Sequence, residues 1–99
     1  MRKPAYFILE IDIHDPEAMK PYLEKAGATL APFASTPLVH GGTLDALEGS
    51  APQGKVVMLR FDSLQQARDW YGSPAYRELL PHRLNAASNR AYLVEGLEA

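Results

Sequence analysis

Cysteine is absent from the 99 residues, which excludes disulfide staples, thiol nucleophiles and thiolate metal sites. Histidine is scarce, and His14, His40 and His82 show no metal-binding spacing, so no metal site is expected. The chain also lacks a basic surplus. Its net charge is -2 and its ten Lys and Arg residues are scattered, a pattern that argues against nucleic acid as a partner. No apolar run approaches the roughly 18 residues of a membrane span. The stretch from Met1 to Tyr6 moves directly into a strand pattern rather than into a signal-peptide apolar core, so a cytoplasmic, membrane-free protein is expected. Glycine-rich phosphate loops and nucleophile elbows are missing too. The one double glycine, Gly41-Gly42, lies inside a strand-like stretch, so nucleotide binding and serine hydrolysis find no support.

What is present suits one ordinary globular domain, spanning residues 1–99. The chain is 46% hydrophobic and 22% charged, and a domain of this length buries roughly two thirds of its unfolded surface. From Ala5 to Ile13, Phe7, Leu9, Ile11 and Ile13 alternate with Tyr6, Ile8, Glu10 and Asp12, which predicts a strand with one fully apolar face. Asp15-Pro16-Glu17 then reads as a helix start: a capping carboxylate, a proline that loses no bond, and an acid at the positive end of the dipole. Met19, Tyr22, Leu23, Ala26, Leu30 and Phe33 continue at helical spacing to about residue 34. Within that helix Pro21 predicts a kink or an irregular first turn.

Pro37 to Glu48 reads as a broken strand, with a bulge at Gly41-Gly42 where two residues without Cβ permit the required dihedrals. A turn from Gly49 to Gly54 leads to a strand at Lys55 to Phe61, completing a hairpin. Ser63 and Gln66 match a capping box, Leu64, Ala67, Trp70 and Tyr71 form the inward side of the second helix, and Gly72 ends it. Ser73-Pro74 opens another helical segment containing Tyr76, Leu79 and Leu80, which Pro81 interrupts before His82 and Arg83. Asn89 to Glu95 forms a last strand. The order strand, helix, strand, strand, helix, strand predicts an α+β, ferredoxin-like βαββαβ fold: a four-stranded antiparallel sheet with its helices on one face. The other face, with Tyr6, Ile8, Val56 and Met58, would then expose an apolar patch, and a symmetric homodimer pairing sheet to sheet would cover it.

Several pieces occur in a fixed order: Asp15-Pro16-Glu17 with Tyr22, Gly41-Gly42 with Leu47-Glu48-Gly49, Arg60-Phe61 before Ser63-Leu64, Ala67 with Trp70-Tyr71, Ser73-Pro74 with Tyr76, Arg83, and Val94-Glu95-Gly96. In that order and spacing they resemble the DUF1330 family of dimeric α/β-barrel, ferredoxin-like domains. The resemblance spans nearly the whole chain and implies a homodimer with a cleft between two sheets, but it brings no agreed reaction. One position departs from it. The family commonly carries Arg before the glycine pair, where this chain has His40, and a neutral imidazole does not replace a permanent forked cation.

Few residues qualify for chemistry. His40, beside the double glycine, is the candidate catalytic residue, because an imidazole presented to a pocket titrates near neutral pH; the alternative is a solvated edge histidine. Glu10 and Arg60 fall by parity on the helix-free faces of the two central strands, where they would either bind a polar ligand or form a structural ion pair. Tyr76 and Arg83 are further ligand-binding candidates, the tyrosine for stacking and the guanidinium for a carboxylate, against the alternatives of core packing and helix-end neutralisation. Two functions follow. One is a cofactor-independent small-molecule enzyme, an isomerase, decarboxylase or oxygenase by analogy with other dimeric α/β barrels, acting through His40 with Arg60 or Arg83. The other is a noncatalytic module that binds a small hydrophobic or aromatic ligand or serves as an interaction domain.

Overall fold

Strict alternation over nine residues produces β1, Ala5–Ile13, in the computed structural model, which describes residues 3–98. Phe7, Leu9 and Ile11 are buried on one face while Tyr6, Ile8 and Glu10 are half-buried on the other. The expected cap follows: the Asp15 carboxylate accepts from the Ala18 backbone N–H at 3.2 Å and opens α1, Pro16–Lys25. Pro21 sits inside this helix without ending it. The Glu17 carbonyl, which loses its usual donor, belongs to an exposed residue where water can reach it. The helix is shorter than its apolar stripe suggests. After Lys25 the chain tightens into a single 3-10 turn, Gly27–Leu30, because Gly27 is a poor helix former and the Thr29 hydroxyl donates to the Ala26 carbonyl at 2.6 Å.

The second strand, β2 (Ser35–His40), pairs with β3 (Lys55–Phe61). Its irregularity falls between Pro37 and Val39, not at the glycine pair. Proline has no N–H to give the ladder, so the register shifts beside it, and Gly41, at φ 70°, ends the strand instead. Residues 43 to 48, expected to continue the strand, carry no regular structure. Gly54 is required at the start of β3: a Cβ there would run into the Ile11 carbonyl oxygen and lie 2.7 Å from the Asp12 Cα, and its φ is 74°.

Ser63 caps α2 (Leu64–Tyr71) by accepting from the Gln66 N–H at 3.1 Å, and Ser73 caps α3 (Pro74–Ala86) in the same way. Pro81 does not interrupt α3, which runs to Ala86 and passes directly into β4 (Ala87–Glu95), two residues earlier than the sequence pattern suggests. The sheet order is β2-β3-β1-β4, with every pair antiparallel, so β1 and β3 are central and the fold is ferredoxin-like.

The helices lie on one face of this sheet, and Trp70 is the centre of their contact with it. Its ring meets Phe7 edge-on at 5.1 Å, Phe61 at 5.5 Å and Tyr76 at 4.3 Å, while its N–H donates to Thr29 Oγ1 at 2.9 Å. Coverage is uneven. α2 packs against β1, β3 and β4, whereas α1 packs along α3 and sends Met19 and Tyr22 into the core. The opposite face has no helix, and there Tyr6, Ile8, Val56 and Met58 lie beside Tyr92 and Val94 of β4. No helix among the described residues is long and apolar enough to cross a membrane.

Candidate functional site

Between α1 and the sheet lies a cleft of about 350 Å³. This volume falls in the range of small-molecule sites, about 300–1,000 Å³. The floor is the apolar face of β1 and β3, with Phe7, Leu9, Ile11, Val57 and Leu59. The roof is Met19, Tyr22, Leu23 and Ala26 of α1 and its end, together with Leu30, and Trp70 also lines it. Polar groups gather at the rim, where His40, Gly41 and Lys55 stand at the β2–β3 edge. Ile13, expected on the buried face, is exposed because it lies beyond the helical cover, at the open side of the same cleft.

The site residues suggested by the sequence divide into three places. His40 pairs with Val57 in the ladder and therefore shares its face, so the ring lies on the helix side and lines the cleft. Glu10 and Arg60 lie on the other face, and they do not meet. Glu10 stands opposite Val56 and Arg60 opposite Tyr6, four positions away along the strands, a separation of about 13 Å. Arg60 instead pairs with Asp62 at 3.2 Å. Glu10 accepts from the Tyr92 hydroxyl at 2.9 Å and has Arg90 at 3.7 Å, and the bond to Glu10 raises the Tyr92 phenol above its ordinary range. Within one chain the three therefore do not converge in one cavity: His40 is on the opposite face, and Glu10 and Arg60 are parted along the strands. Beside Glu10 is only a shallow polar depression of about 250 Å³, bordered by Asp12, residues 51–53 and 88–90.

Tyr76 and Arg83 occupy the third place, a buried polar cluster between α1 and α3. The Tyr22 and Tyr76 hydroxyls are 2.7 Å apart, and Arg83 Nη2 donates to Tyr76 Oη at 3.3 Å while the guanidinium lies 5.5 Å over the Tyr22 ring. Burial, reinforced by Tyr22, holds the Tyr76 hydroxyl well above the ordinary phenol range, so it keeps its proton at neutral pH. Arg83 is 1% exposed. Tyr22 links this cluster to the cleft, since the same side chain borders both. Periodicity identifies Tyr22 only as one residue of an apolar stripe; its spacing from Tyr76 in sequence gives no sign that their hydroxyls meet.

Among the described residues, no group of three or more His, Asp or Glu side chains is placed to hold a metal ion.

Architecture and cleft together define a ferredoxin-like α+β domain with a small apolar site beneath its first helix. The chain belongs to the DUF1330 family, described as a domain of unknown function, whose model matches residues 4–97. No curated protein is similar in sequence. Among solved structures, a protein of unknown function from Rhodopseudomonas palustris, RPA0582, is similar at a TM-score of 0.72 and 18% identity, covering 100% of this chain and 86% of that one. SnoaB, a cofactor-independent oxygenase from Streptomyces nogalater, is similar at 0.66 and 12% identity over 98% of this chain and 96% of its own. A dimeric ferredoxin-like protein of unknown function from Thermobifida fusca is similar at 0.61 and 14%, over 96% of this chain and 92% of that one. At these identities the likeness concerns the fold.

Proposed function

We propose that this domain binds a small, largely apolar or aromatic molecule in the cleft between the sheet and α1, as a homodimer joined through its bare sheet faces. The cleft carries the reading: a concave, mainly apolar space of about 350 Å³ whose few polar side chains are His40, Lys55 and Tyr22 is what a small-ligand site requires. Dimerisation is supported by the apolar bare face, where Tyr92 and Val94 are 39% and 46% exposed beside Ile8 and Met58, and by the dimeric protein of the same fold. In this arrangement Glu10 and Arg60 belong to the polar rim of the dimer face rather than to the ligand. A thermal-shift screen with small aromatic compounds tests the reading against Val57→Phe, which narrows the cleft from its floor. Stabilisation of the wild type that the variant loses is expected; equal stabilisation of both would remove the cleft from the account.

A second reading, cofactor-independent catalysis, is favoured by His40 at the rim and by the fold shared with SnoaB, an oxygenase of that kind. His40 would act as a general base on a ligand held below it. Oxygen uptake with each compound that binds, compared between wild type and His40→Ala, separates the two. Uptake lost in the variant supports catalysis, and binding without uptake supports the binding module alone.

A further inference from the structure

Arg83 is buried with no carboxylate to balance it among the described residues. Its Nε and Nη1 have no hydrogen-bond partner, and its one bond goes to a neutral tyrosine. A guanidinium stays charged under all ordinary conditions, and a buried charge without a counter-ion is strongly unfavourable. Core packing therefore does not account for it.

The hydrogen bonds around it have one consistent direction. Arg83 can only donate, so the Tyr76 oxygen accepts from it. Tyr76 is 0% exposed, and among the described residues the only acceptor that its hydroxyl has for its own proton is the Tyr22 oxygen at 2.7 Å. Tyr22 is then left with its proton free, and Tyr22 borders the cleft. Each donor in such a chain polarises the next, so the charge of Arg83 strengthens the Tyr22 hydroxyl as a donor.

On the basis of the cleft reading above, we infer that the Tyr22 hydroxyl is the polar anchor of that site, and that its ligand is a weakly acidic phenol or enol held as the oxyanion, with Arg83 supplying the charge through Tyr76. A single ionised oxygen suits a single O–H donor; a carboxylate would leave its second oxygen facing apolar walls. Lys55 and His40 at the rim are the other groups of basic character around the cleft, and Tyr71 is the remaining titratable ring against Tyr76, at 5.4 Å. Neither rim group touches the cluster.

The probe is 4-nitrophenol, whose ionised form absorbs in the visible, titrated with pH in the presence and absence of the full chain. The midpoint of the bound probe is expected to fall by about one pH unit or more below that of the free probe. Tyr22→Phe is expected to abolish that fall and to weaken phenolate binding about tenfold or more. Arg83→Met is expected to melt no lower than wild type, because an unbalanced charge has gone, yet to lose the shift. An unshifted or raised midpoint, or Tyr22→Phe binding phenolate as wild type does, overturns the inference; so does an Arg83→Met variant that melts well below wild type. If the probe binds and Val57→Phe blocks it but the midpoint does not move, the inference alone fails. If wild type does not take up the probe at all, the cleft reading and the inference fall together.

Discussion

On the helix-covered face of the sheet, Phe7, Leu9 and Phe61 are at most 3% exposed, whereas the same two strands leave Ile8 and Met58 half-buried on the bare face, with Tyr92 and Val94 open beside them. Both faces carry apolar residues, but the bare one also holds Glu10 and Arg60, and the two are closed differently. One is finished within the chain, by Trp70 and the helices, with a cleft between α1 and the sheet. Nothing among the described residues covers the other. On the function proposed above, the ligand belongs to the cleft on the covered face and the second copy to the bare face.

The largest expected effect tests the covered face. Trp70→Ala removes the ring shared by Phe7, Phe61 and Tyr76 and the bond to Thr29, and urea unfolding should show a loss of about 3–5 kcal/mol. Ile8→Lys should act quite differently. It stands opposite Met58 and Tyr92 on the bare face, so sedimentation should find the proposed dimer weakened about a hundredfold, while circular dichroism finds the protomer folded. A variant that unfolds instead would mean that the bare face contributes to the protomer itself.

The third prediction concerns alkaline pH. Tyr76 has its folded-state pKa raised, so its contribution is complete below the unfolded value near 10 and declines as pH rises through the window above it, where the unfolded chain releases the proton and the folded chain does not. Denaturation midpoints taken above about pH 10 should show Tyr76→Phe removing up to about 1.4 kcal/mol per pH unit from that decline. Asp62→Asn should matter least. It breaks a half-exposed pair with Arg60 beside the bare face, and the stability change should stay within about 1 kcal/mol.

Local chemistry made most of the fold legible. Alternation from Ala5 to Ile13, the Asp15, Ser63 and Ser73 caps and the prolines at helix starts mark elements that the structure contains at nearly those places. Errors arose where a proline acts through its neighbours. Pro37 rather than Gly41-Gly42 disturbs the β2 register, and Pro81 is absorbed within a helix held by tertiary packing. The site was much less legible. The face on which His40 lies depends on that irregularity, so parity across it fails, and the bond between Tyr22 and Tyr76 joins residues 54 apart. Arg83 was recognisable as a candidate anion holder, but its burial without a counter-ion is a property of packing that no local pattern records.

The assignment of ligand and partner to opposite faces is tested most directly by NMR of the labelled protein during titration with 4-nitrophenol. The single tryptophan gives one indole N–H signal, so Trp70 reports the cleft without ambiguity. The account predicts that this signal and those of Val57 and Leu23 move with ligand while Ile8, Glu10 and Tyr92 stay unchanged. Movement of Glu10 and Tyr92 with Trp70 unaffected would contradict it.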